Sequence, residues 1–110
     1  MPTPARYEHS ATTVGTKGYV IGGDAGRIQD CDEFDASGNS WVSKTDIPSP
    51  GRRDLGASCI GTKAYIYAGN ASSPAVLQDC DEFDPSGNTW TSKSDMPTPA
   101  RNYPLGYTLE

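Results

Sequence analysis

No stretch of this chain places apolar residues at helical spacing. They fall into short runs bounded by Gly, Pro, Ser and Asn, the pattern of β-strands joined by turns. The first predicted strand covers 9–14 and leads into a turn, Gly15-Thr16-Lys17-Gly18. The second covers 19–21 and ends at Gly22-Gly23. The third covers 30–35, where alternation puts Asp30, Asp32 and Phe34 on one face. Ser37-Gly38-Asn39 follows as a hairpin turn, because Gly and Asn accept positive φ. The fourth predicted strand covers 40–44. A proline-rich connector comes next, and its missing amide donors keep it outside a ladder.

The whole set then returns. Asp30-Cys31-Asp32-Glu33-Phe34-Asp35 reappears unchanged at 79–84, and Ser37-Gly38-Asn39-Ser40-Trp41 reappears as Ser86-Gly87-Asn88-Thr89-Trp90. The connector occurs three times: Met1-Pro2-Thr3-Pro4-Ala5-Arg6, Ile47-Pro48-Ser49-Pro50-Gly51-Arg52 and Met96-Pro97-Thr98-Pro99-Ala100-Arg101. Arg6 lies 46 residues before Arg52, which lies 49 before Arg101; Trp41 and Trp90 are also 49 apart. The difference of three residues falls between Gly69 and Asp79, in a Ser- and Pro-containing stretch, and so marks a loop. The second set of strands is predicted at 55–60, 65–67, 79–84 and 89–93. Four antiparallel strands in about 50 residues make a propeller blade, which cannot bury its apolar face alone.

Pro-x-Pro-x-Arg, an apolar strand, Lys-x-Tyr-Val-Ile-Gly-Gly, Glu-Phe-Asp and Ser-Gly-Asn-x-Trp, in that order, resemble the kelch motif. The resemblance covers two units and the start of a third. It implies an all-β fold of kelch-type β-propeller blades, two four-stranded antiparallel blades per chain. The expected divisions are 1–46 for the first blade, 47–95 for the second and 96–110 for the start of a third repeat. Its diglycine maps to Gly22-Gly23 and, with one departure, to Ala68-Gly69, where close backbone approach is expected to be looser. Its aromatic-Asp pair maps to Phe34-Asp35 and Phe83-Asp84, and its tryptophan to Trp41 and Trp90. Arg6, Arg52 and Arg101 repeat in the connectors and are expected to brace blade junctions. All of these are expected to be structural.

Two blades cannot close a ring, so the expectation is a homotrimer completing one six-bladed propeller. The alternative is an excised or designed segment of a larger kelch protein, enzyme-associated or glycan-binding, with no activity of its own. Kelch relatives bind peptides or glycans through loops that include the residues just after the connector arginine. That places a candidate ligand-binding set at Tyr7, Glu8, Arg53, Asp54, Asn102 and Tyr103. These positions differ between units whose framework is otherwise copied.

Composition narrows the chemistry further. A net charge of −5 argues against nucleic acid, which calls for a basic face. No apolar run approaches the roughly 20 residues that span a membrane, and no secretory signal is visible. Cys31 and Cys80 occupy one slot in successive units, too far apart for a disulfide. With Cys59 they read as small buried thiols, which fits a reducing, cytoplasmic compartment. The single histidine, His9, offers no nucleophile–base pairing. The run Asp30, Asp32, Asp35 lacks a calcium loop, since Phe34 stands where a ligand oxygen belongs. The expected module is therefore non-catalytic, with no cofactor or metal, and with itself, a peptide or a glycan as partner.

Overall fold

The computed structural model describes residues 8–24, 28–48, 50–71 and 77–97. Eight strands run through them: β1 Ser10–Val14, β2 Lys17–Ile21, β3 Cys31–Asp35, β4 Ser40–Lys44, β5 Gly56–Ile60, β6 Lys63–Tyr67, β7 Cys80–Asp84 and β8 Thr89–Ser92. They form two four-stranded antiparallel sheets, ordered β1-β2-β3-β4 and β5-β6-β7-β8. The described residues contain no helix, and so none long and apolar enough to cross a membrane.

The sequence misplaces one turn. Val14 pairs with Lys17 and Ile60 with Lys63, so the first hairpin of each sheet closes over two residues, Gly15-Thr16 and Gly61-Thr62. The second strands consequently begin at Lys17 and Lys63. Each lysine reaches across to the third strand, Lys17 Nζ to Asp35 at 2.8 Å and Lys63 Nζ to Asp84 at 3.3 Å. A second shift concerns His9, which sits exposed before β1 and not within it.

The core lies between the sheets. The first sheet contributes Tyr19, Ile21 and Cys31, together with Ile47 from the connector. Ala57, Ala64, Ile66 and Phe83 of the second sheet meet them. Pairing explains the grouping, because cross-strand partners share a face: Ile21 sits opposite Cys31, Ala57 opposite Ile66, and Ala64 opposite Phe83. Tyr19 meets Phe83 edge-on at 5.7 Å, and Phe83 lies 4.9 Å from Trp90. The Tyr19 hydroxyl donates to Glu33 at 2.7 Å, satisfying its polar end.

The connector approaches the end of β2 closely. Gly22 has φ +65, and a Cβ there would stand 2.8 Å from the carbonyl oxygen of Arg52. At Gly69, φ +108, a Cβ would stand 3.0 Å from the carbonyl of Arg53. Ala68 replaces the first glycine of the pair without relaxing this turn. It is fully buried and holds φ +57, a conformation that costs an L-residue energy. Buried surroundings hold the alanine in the glycine's conformation, while the connector arginine expected to approach it, Arg101, lies outside the described residues.

Candidate functional site

Both sheets present the starts of their first strands at one end, and the chain ties those starts together. Asp54 N donates to Glu8 O at 2.9 Å, and Arg53 exchanges backbone bonds with Asn70 at 3.0 and 2.7 Å. Glu8 and Asp54 are counterparts in the two units, and both adopt the left-handed region, φ +58 and +53. That conformation turns the chain sharply as it enters the strand.

Four charged side chains converge there. Arg53 Nη1 donates to Asp24 Oδ2 at 2.9 Å and lies 3.0 Å from Glu8 Oε2. Its Nε stands 3.9 Å from Asp54 Oδ2. Burial works against the Arg53 charge, but the carboxylates of Glu8, Asp24 and Asp54 outweigh it and raise the guanidinium pKa. Three buried atoms in this cluster, Glu8 Oε2, Arg53 Nε and Asp54 Oδ2, have no aligned hydrogen-bond partner among the described residues. One donor and two acceptors thus sit at a single junction. Ion pairing with one another offsets part of what burying these charges costs.

The structure brings together Glu8, Arg53 and Asp54 from the expected binding set. It adds Asp24, which directly follows the Gly22-Gly23 pair. The signal available was that Asp24 aligns with Asn70, a change of charge between copied units. Tyr7, Asn102 and Tyr103 lie outside the described residues, as do Arg6 and Arg101.

Arg52 has a different environment from its neighbour. Its side chain is fully buried and donates to Asp81 Oδ2 at 3.2 Å, to Pro50 O at 3.1 Å and to Pro48 O at 3.1 Å. It clamps its own connector onto β7. Burial raises the Asp81 pKa, opposed by Arg52 and by the Ser92 hydroxyl.

Asp35 and Asp84 hold hairpins. Asp35 Oδ1 accepts from Ser37 N at 3.0 Å and from Ser37 Oγ at 2.8 Å, and Asp84 repeats the arrangement on Ser86. Cys31, Cys59 and Cys80 form no disulfide, and only Cys31 is fully buried. Burial, reinforced by Asp32, pushes the Cys31 thiol up to about 12 and leaves it protonated. Among the described residues no group of three His, Cys, Asp or Glu side chains is placed to hold a metal ion.

A second feature is a groove of about 350 Å³ on the first sheet, on the side away from the second. Ala11, Thr13, Gly18, Val20, Phe34 and Trp41 contribute to its walls.

Residues 51–97 match the family model described as the Kelch motif. Over that stretch the chain is similar to a kelch repeat. Kelch repeats are generally non-catalytic modules of protein–protein interaction. The match spans the second blade, Arg52 of its connector and Trp90 of its fourth strand. The first unit carries the corresponding motifs in the same order, with Gly22 where the second has Ala68. No curated protein matches the chain.

Proposed function

We propose that this chain is a non-catalytic kelch interaction module that assembles head to tail into a ring, three copies completing six blades. One observation carries the reading: the two open faces of the chain are copies of the two faces that meet inside it. At the internal junction Ala64, Ile66 and Phe83 are fully buried against the first blade. Their counterparts on the first blade, Gly18, Val20 and Phe34, line the open groove and are only half-buried. On the covering side Tyr19, Ile21, Cys31 and Ile47 are buried. Their counterparts Tyr65, Tyr67, Cys80 and Met96 are half-buried on the far side of the second blade. A second copy's second blade is the natural cover for the groove, since the chain already makes that contact once. Rotation of such heterologous contacts closes a ring.

Ring closure would repeat the Glu8–Asp24–Arg53–Asp54 end of the junction around the axis. Its mixture of a guanidinium donor and carboxylate acceptors whose hydrogen-bonding capacity is not used up suits hydroxyl and amide groups, the chemistry of glycans and peptides. Val20→Asp, a charge in the open groove, is expected to leave a folded chain that no longer associates. Thr16→Asp, in an exposed turn, should associate as the parent does. Unchanged assembly of Val20→Asp, measured by sedimentation, would contradict the reading.

A further inference from the structure

The internal junction is fastened at its outer edge by three hydrogen bonds through one residue. Thr45 follows β4 of the first blade. Its amide donates to Asn88 Oδ1 at 2.9 Å, and its hydroxyl donates to the backbone oxygen of Asn88 at 2.7 Å. Its own carbonyl accepts from Trp90 Nε1 at 2.8 Å. Asn88 holds φ +54 at the hairpin before β8, so the turn itself aims this amide. The bonds are specific in direction. The first blade contributes one residue after its fourth strand, and the second contributes the hairpin asparagine and the tryptophan that follows it.

Every partner has a counterpart at the open ends. Asn39 matches Asn88 and holds nearly the same backbone, φ +50. Trp41 matches Trp90 and packs on Phe34 at 5.0 Å, as Trp90 packs on Phe83. Ser94 matches Thr45, and serine keeps both the hydroxyl and the backbone groups. Asn39 and Ser94 are exposed, at opposite ends of the chain's two-blade stack.

We infer that Ser94 of one copy latches onto Asn39 and Trp41 of the next. The Ser94 amide donates to Asn39 Oδ1, the Ser94 hydroxyl donates to the Asn39 backbone oxygen, and Trp41 Nε1 donates to the Ser94 carbonyl. This rests on the head-to-tail assembly proposed above and adds what fixes its register. Apolar blade faces slide with little penalty, whereas three directed bonds through one residue are satisfied in one register only. The occupant is a second copy because it brings the covering face and the latch residue on the same blade.

The test uses the full chain and measures the concentration at which the assembly half-dissociates. Asn39→Gly keeps the positive φ and removes the acceptor; Asn39→Asp keeps both. Asn39→Gly is expected to raise the half-dissociation concentration about fivefold per lost bond, and Asn39→Asp to leave it near that of the parent. Ser94→Ala should weaken association similarly, while Ser94→Thr, which copies Thr45, should not. In the assembled state the Trp41 indole proton should exchange as slowly as that of Trp90. On dilution only the Trp41 proton should become fast. A parent chain that assembles while Asn39→Gly, Ser94→Ala and Trp41 exchange show no such effects would overturn the latch and leave the ring standing. A parent chain that stays monomeric would overturn the ring, and the latch with it.

Discussion

Asp35 and Asp84 each close a hairpin and receive a lysine from the neighbouring strand. The Lys17 ammonium and the Ser37 hydroxyl hold the Asp35 carboxyl far below the usual carboxylate range. At Asp84 the Ser86 hydroxyl leads, with Lys63 adding to it. The folded pKa lies below the unfolded value of about 3.9 in both cases. Their contribution to stability is therefore present above about pH 4 and is lost as pH falls from there towards the folded values. Denaturant unfolding across about pH 2 to 7 should show the parent losing stability on acidification. The double variant Asp35→Ala, Asp84→Ala should start lower at neutral pH and fall less. Parallel curves would contradict this role for the two carboxylates.

The elements themselves were largely legible, because short apolar runs punctuated by Gly, Pro and Asn specify strands and turns locally. Strand β4 follows the sequence reading to the residue at Ser40–Lys44. The first hairpins did not, because Lys17 and Lys63 read as turn residues until their cross-strand aspartates come into view. The clustered residues Glu8, Arg53 and Asp54 could be named as candidates from divergence between units. Asp24 could not, since its neighbourhood depends on how two blades dock. The same limit hid Thr45, whose partners lie 43 and 45 residues away in sequence. Connector and strand meet most tightly at Gly22, where an added Cβ would press on Arg52 O at 2.8 Å. Gly22→Val should destabilise by roughly 1–3 kcal/mol in thermal or denaturant unfolding. A neutral outcome would mean that the connector moves aside without loss.

At the scale of the molecule, the proposed ring takes the internal junction as the template for the next one. It buries Tyr19, Phe83 and three isoleucines with Trp90 packed against them, fastens its outer edge through Thr45 and ties its inner ends through Glu8 and Asp54. The open groove on the first blade and the Tyr65–Tyr67 face of the second offer the two halves of that junction to solvent. Covering them removes apolar surface from water and protects exposed sheet faces from indiscriminate pairing. A cyclic arrangement satisfies every copy equally, and two blades per chain divide evenly into six. Native mass spectrometry at micromolar concentration is the most direct measurement. Three chains per particle is the expected result, and a well-folded monomer would contradict the ring.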